Sequence, residues 1–288
     1  MRPVLRPGSP LLRRDATHLQ VGTEPGHALV VDEVAPLTAL LSALDGVRTA
    51  DDPELDASLV EALHAAGVVV DSEVWRAEAG LENEAAHLLT RGLDAEATRR
   101  QIASRRRAEV RIVGDDPLAG SVADLLEASG VGAISTGSAP TSRADLVIVA
   151  VEGEAARDLA DECLRADVAH FVTATRDGCG VVGPLVLPGR TACLRCLDIE
   201  RSAVDTAWPA IVAQLPQPLS TPADSLVRAV SAVLDAATAV VTVRDALAQL
   251  AGDTALTHNA TLRIGPDLSQ LRRYRWSLQP RCGCALLG

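Results

Sequence analysis

Lysine is absent from this chain of 288 residues, and all 27 of its basic residues are arginine. No Schiff-base lysine and no P-loop lysine can therefore operate here. Aromatic residues are almost as scarce, at 2 % of the sequence, so there is no stacking platform for single-stranded nucleic acid. A net charge of −11 and a pI near 5.0 argue against a general nucleic-acid binder. Long apolar runs are missing too. The longest apolar helical stretch, Leu226 to Leu250, is broken by Arg228, Asp235, Arg244 and Asp245, which disfavours a membrane span. The opening run Met1-Arg2-Pro3-Val4-Leu5-Arg6-Pro7 has charge but no signal-peptide core. The expectation is a cytoplasmic protein without nucleic-acid or membrane partners. Arg105-Arg106-Arg107 and Arg272-Arg273 then read as solvated helix and strand surfaces.

Four of the six cysteines form two short pairs, Cys193-Leu-Arg-Cys196 and Cys282-Gly-Cys284. In a reducing compartment paired cysteines usually bind metal, and four thiolates satisfy tetrahedral Zn²⁺ with no position left for water. The pattern points to a structural zinc clip that ties the last residues back onto a large domain. Two disulfides, or a chance clustering, are the alternatives.

The length favours two domains, with a division near residue 108. Residues 1–75 read as a small α+β module. Leu11–Arg14, Leu19–Gly22 and Ala28–Val31 give an antiparallel meander. A helix is expected over Val34–Leu44, and a second opens at Asp52-Pro53-Glu54 and runs through Leu55, Leu59 and Leu63 to Gly67, before a strand at Val68–Val70. The arrangement is winged-helix-like. Glu54, Asp56 and Glu61 on the second helix would repel DNA phosphates, which favours peptide binding or scaffolding. Residues 76–107 read as a helical linker.

From 108 onward the order is strand–helix–strand–strand–helix–strand: Val110–Gly114, Leu118–Ser129, Gly130–Ile134, Asp145–Val151, Glu154–Ala166 and His170–Thr173. This predicts a Rossmann-like, doubly wound α/β domain over 108–288. Its phosphate loop would be Gly114-Asp115-Asp116-Pro117-Leu118-Ala119-Gly120. The outer glycines stand where such a loop needs them. The middle holds two carboxylates and a proline, which repel phosphate and remove a backbone donor. The site reads as a degenerate one, and ATP is not expected as a cofactor.

This Rossmann half, the segment Val181–Leu197 and the terminal cysteine pair together resemble the ThiF-type, ubiquitin-activating-enzyme-like superfamily. More narrowly, the chain resembles the cyclodehydratase-associated members of thiazole/oxazole-modified peptide pathways. That resemblance implies a winged-helix leader-peptide-binding module joined to a ThiF-type domain that has lost adenylation, working beside a YcaO-type enzyme and commonly as a homodimer. Active relatives need the glycine loop, a Lys and an Arg near the phosphates, and an acidic residue after the Asp145–Val151 strand. Here the loop is spoiled, no Lys exists, and Glu152 is displaced.

Cys163 reads as a small buried residue. Cys179, in the glycine-flanked loop Arg176–Gly180, reads as a small residue in a tight loop or as a nucleophile. His170 and His258 are isolated, and Asp198 and Arg201 read as surface or capping residues. Trp208–Ile211 and Pro216-Gln217-Pro218 form an exposed loop, and helix 223–250 packs on the sheet or on a second copy. No catalytic residue is assigned. The expected function is peptide binding by strand addition and presentation to a separate enzyme. An adenylating or cyclodehydrating enzyme and a dimeric scaffold are the alternatives.

Overall fold

The computed structural model describes residues 1–25, 28–33, 35–140, 143–151, 153–214 and 231–286. They form two compact units, Met1–Ala103 and Ser104–Gly288.

The first unit opens with strands β1 (Pro3–Leu5), β2 (Leu11–Arg13), β3 (His18–Val21) and β4 (Leu29–Asp32). Strands β2, β3 and β4 make the antiparallel meander read from the sequence. Helices α1 (Ala35–Ala43) and α2 (Ala57–Ala65) follow, then β5 (Val69–Asp71), which pairs antiparallel with β1. Leu19 and Val21 of β3 meet Leu40, Leu41, Val60 and Leu63 in one core. Each such apolar side chain, fully buried, is worth about 1.5–3 kcal/mol.

The start of α2 departs from the sequence reading. Asp52–Leu55 is a turn closed by the Leu55 N–H on the Asp52 carbonyl. The helix begins only after Asp56, whose carboxylate accepts from the Ser58 and Leu59 N–H groups as a true N-cap. The charges redistribute accordingly: Glu54 lies before the helix and pairs with Arg48, Asp56 is spent on the cap, and only Glu61 remains within the helix. A short α3 (Glu73–Arg76) precedes the stretch read as one linking helix, and that stretch holds two, α4 (Glu82–Thr90) and α5 (Ala95–Arg107). Arg105, expected on a solvated surface, is buried at 4 % exposure.

The second unit runs β6 (Glu109–Val113), α6 (Pro117–Ala128), β7 (Ala133–Gly137), β8 (Leu146–Val149), α7 (Gly153–Arg165), β9 (His170–Arg176), β10 (Cys179–Val186), α8 (Leu194–Val204), α9 (Trp208–Gln214), α10 (Ala232–Leu250), β11 (Ala260–Ile264), β12 (Leu271–Arg275) and a closing 3₁₀ turn, Cys284–Leu286. The seven strands form one sheet in the order β12-β11-β10-β9-β8-β6-β7. From β7 to β9 the neighbours are parallel, as the α/β reading requires; from β9 to β12 they are antiparallel. The antiparallel half begins at a tight hairpin. Asp177 and Gly178 both have positive φ, 50° and 67°, which matches a two-residue turn to the twist of the strands it joins.

Strand β8 is buried on both faces, as its Leu-Val-Ile-Val sequence demands. Leu146 and Ile148 pack with Leu118 and Val122 of α6 and with Val243 of α10, while Val147 and Val149 meet Ala156 and Cys163 of α7. The sheet is thus covered on both sides. Helix α10 buries Leu234, Thr238, Thr242 and Asp245, a stripe at three- and four-residue spacing. It packs on the sheet, one of the two roles read for it; the 223–230 part of that reading, like Val34, Glu152 and Pro216-Gln217-Pro218, lies outside the described residues. No helix of the described residues is long and apolar enough to cross a membrane.

Candidate functional site

Both cysteine pairs converge. Cys193 caps the N-terminus of α8, and Cys196 lies one turn further on, at the helix face turned inward. The segment after β12 brings back Cys282 and Cys284. It is held by the Glu200 carboxylate, which accepts from the Ser277 N–H at 2.6 Å and from Gln279 Nε2 at 2.9 Å. All four Sγ atoms lie within 4.8 Å of one another. The Cys193–Cys282 and Cys196–Cys284 separations are 3.5 Å and Cys193–Cys196 is 3.9 Å. None is a disulfide. Four thiolates on a tetrahedral ion at a metal–sulfur distance of about 2.3 Å sit about 3.8 Å apart, so this set fits a metal ion and lacks an open position. The Gln279 N–H points at Cys196 Sγ from 3.3 Å, the outer hydrogen bond such a ligand needs. Burial drives the Cys193 thiol pKa up and pushes that of Cys284 up to about 12. At Cys196 burial is outweighed by backbone donors, Gln279 foremost, and the thiol lies below its ordinary value. Leu164, Val186, Leu197 and Trp276 exclude water around the cluster. The four thiols can hold a metal; they cannot present it to a substrate.

The candidate phosphate loop lies at the end of β6, beside the switch point where the chain passes from β7 across β6 to β8. Gly114, at φ 141°, is pressed against β8, and a Cβ there would stand 2.6 Å from the Ala150 carbonyl. Asp115 is exposed. Asp116 turns its carboxylate onto the Ala119 N–H at 2.8 Å and caps α6, with Pro117 in the first helical position. The helix N-terminus, which a Rossmann site offers to a phosphate, is met by the chain's own anion. Gly120 is already inside α6, and a Cβ there would meet nothing within 4 Å, so no close packing requires a glycine. Asp145 sits at the opposite end of the sheet, where its carboxylate accepts from the Glu109 N–H.

Several residues acquire partners that their sequence context did not reveal. Asp198, read as a surface or capping residue, receives two hydrogen bonds from the buried Arg157, at 2.7 and 2.8 Å, and a third from Trp208 Nε1 at 2.9 Å. Burial opposes its charge, but these donors outweigh burial and hold the carboxyl below the usual range. Arg201, read the same way, is stacked between two indoles: its guanidinium carbon is 4.8 Å from the Trp208 ring centre and 5.4 Å from that of Trp276. The Trp208–Ile211 run is the start of helix α9 rather than a loop, because Trp208 is anchored by Arg201 and Asp198. Cys179 is the first residue of β10, not part of a loop, and receives a hydrogen bond from Arg263 at 3.3 Å. Cys163 is fully buried, and burial pushes its thiol up to about 12. Burial lowers the buried His170 to about 4, with its Nδ1 on the Val168 carbonyl. His258 is lowered by burial as well. The only signal for the Arg201 cage was the rarity of tryptophan, three in the chain, two of which meet one arginine.

No family model matches the sequence, and no curated protein is similar to it. Solved structures do match. The Escherichia coli protein MccB with ATP superposes with a TM-score of 0.66 at 15 % identity, over 98 % of this chain and 99 % of that one. The microcin C7 biosynthetic enzyme MccB in complex with N-formylated MccA gives the same values. A heterocyclase in complex with substrate and cofactor gives a TM-score of 0.68 at 12 % identity, over 98 % of this chain but 39 % of the heterocyclase. At these identities the likeness establishes the fold alone: the chain shares the fold of MccB, a microcin C7 biosynthetic enzyme, and of part of the heterocyclase.

Proposed function

We propose that the chain is a non-adenylating ThiF-type protein that binds a precursor (leader) peptide and presents it to a separate modifying enzyme, of the YcaO type or another. The observation that carries this reading is the Asp116 carboxylate on the Ala119 N–H, where a nucleotide phosphate would have to bind. A phosphate at that point would face Asp115 and Asp116 with no lysine in the chain to offset them. MccB has been solved in complex with N-formylated MccA, which supports a peptide as the ligand here. The peptide would dock on the winged-helix-like N-terminal unit, adding a strand to an outer edge of the β2-β3-β4 meander, where Leu12 and Val30 are exposed. The four cysteines would hold one structural Zn²⁺ that fixes the C-terminal segment onto α8. The exposed Val233 and Val240 of α10 are the surface we assign to a homodimer contact.

One observation favours a second reading: MccB, whose fold matches over almost the whole of both chains, has been solved with ATP, which supports an adenylating enzyme with a degenerate loop. Calorimetry of the full-length protein with short peptides encoded in neighbouring genes tests the first reading. Saturable binding without any nucleotide supports it. Binding that requires ATP and Mg²⁺ supports the enzyme.

A further inference from the structure

The second unit holds a cavity of about 600 Å³ distinct from both the cysteine cluster and the Gly114 loop. It sits on the antiparallel half of the sheet, under α8 and α9. Its wall combines Arg176, Arg201 and Arg263 with Trp208, Trp276 and Tyr274. Asp177 is the one carboxylate in that lining among the described residues, so three guanidinium groups face one anion in a chain whose net charge is −11. Among the described residues the Arg176 and Arg201 guanidinium groups form no salt bridge. Arg201 is held instead beside its two indoles, and Arg263 donates to the Cys179 sulfur at 3.3 Å. Burial and then the charges of Arg176, Arg157 and Arg263 work against ionisation of Arg201, and Asp198, which opposes them, is already engaged by Arg157 and Trp208. Arg201 is thus half-buried against apolar rings, with Arg176 and the exposed Arg263 beside it, and the positive lining would attract an external anion.

We infer that this cavity binds an acidic segment of a partner polypeptide, seating a carboxylate among Arg176, Arg201 and Arg263 and an apolar side chain against the indoles. Guanidinium forks suit carboxylates, and cage walls of this kind favour a ligand with an apolar body. Two features favour a polypeptide over a nucleotide. Asp177 would repel a polyphosphate more than a single carboxylate, and no glycine loop contributes to the lining, where the one helix start, Trp208, opens a helix of only seven residues. A second hollow of about 240 Å³, which shares Cys179, Arg263 and Tyr274 with the first, extends the cationic surface to Arg272 on the edge strand β12. The adjoining hollows thus offer an acidic segment more than one point of contact. The inference goes beyond the reading of the N-terminal unit and does not depend on it.

The test is calorimetry on the full-length protein with a blocked Glu/Leu hexapeptide, acetylated and amidated so that side chains carry its only carboxylates. Its Gln/Leu isostere, ATP and oligouridylate serve as competitors. The acidic peptide should bind about tenfold or more tightly than the isostere, and more weakly as salt rises. Arg263→Gln and Arg176→Gln should each weaken it about tenfold with zinc content and melting temperature retained, and Arg201→Gln should do so as well if it folds. Equal affinity for the two peptides, no binding of either, or unchanged binding by folded Arg176→Gln and Arg263→Gln would each overturn the inference. A preference for ATP or oligouridylate would overturn it in favour of a nucleotide or nucleic-acid site. Loss of peptide binding at the N-terminal meander would leave this result untouched, so the two readings fail separately.

Discussion

The Asp116 carboxylate accepts the Ala119 backbone N–H at 2.8 Å, so helix α6 meets its own anion at its N-terminus. One residue both starts the helix and closes the phosphate position. An N-cap of this kind contributes about 1 kcal/mol. Asp116→Ala should lower the thermal midpoint of the full chain by about 2–4 °C. An unchanged melting curve would mean that the cap does not hold in solution.

The cysteine cluster makes a compositional prediction. Freshly prepared reduced protein should contain about one zinc per chain by elemental analysis, because four thiolates saturate the ion. Cys282→Ser combined with Cys284→Ser should release it and make the segment after β12 protease-sensitive, since the clip holds that segment on α8. Wild-type protein free of zinc would remove the clip from the account.

Arg157 and Asp198 form a two-bond ion pair whose side chains are 8 % and 19 % exposed. Removing one partner leaves the other charge buried, so Arg157→Ala should cost about 3–5 kcal/mol in chemical denaturation. The pH dependence has a definite sign. The folded pKa of Asp198 lies below its unfolded value, so its contribution is complete above the ordinary carboxylate range and is lost as pH falls through the folded pKa. Stability of the wild type should therefore drop more steeply on acidification than that of Asp198→Asn. Parallel acid curves for the two proteins would show that the pair is not coupled to folding.

These cases show what sequence spacing carries and what it does not. The meander, the β6-to-β9 alternation and the metal-ligand spacing are local patterns of period two, period 3.6 or short cysteine repeats, and all were legible. The antiparallel half of the sheet was not, because β10 to β12 lack an alternation that distinguishes them from loops, and their pairing depends on contacts far apart in the chain. The true start of α2 was missed for a different reason. Asp52-Pro53 and Asp56 both satisfy the capping pattern, and only the packing of Leu55 into the core selects the second. Arg157–Asp198 and the Arg201 cage join residues on separate helices and strands, and no single-window reading can pair them.

Strand addition to the meander predicts that main-chain donors of the ligand matter as much as its side chains. A peptide that binds the full-length protein should lose about tenfold or more in affinity when alternate backbone nitrogens are methylated, with its sequence unchanged. Its affinity should change little between low and physiological salt, in contrast to duplex DNA binding, which the protein should not show. Undiminished affinity of the methylated peptide would rule out pairing at the β2 or β4 edge.

ATP–pyrophosphate exchange tests most directly the proposal that this chain handles a peptide without adenylating it. Full-length, zinc-loaded protein is incubated with Mg²⁺, ATP, radiolabelled pyrophosphate and each short peptide encoded in its neighbouring genes. The Asp116-capped helix and the absence of lysine predict no label in ATP above the protein-free background, with any peptide. Peptide-dependent exchange, abolished when Mg²⁺ is withheld, would contradict the account and make the chain an adenylating enzyme.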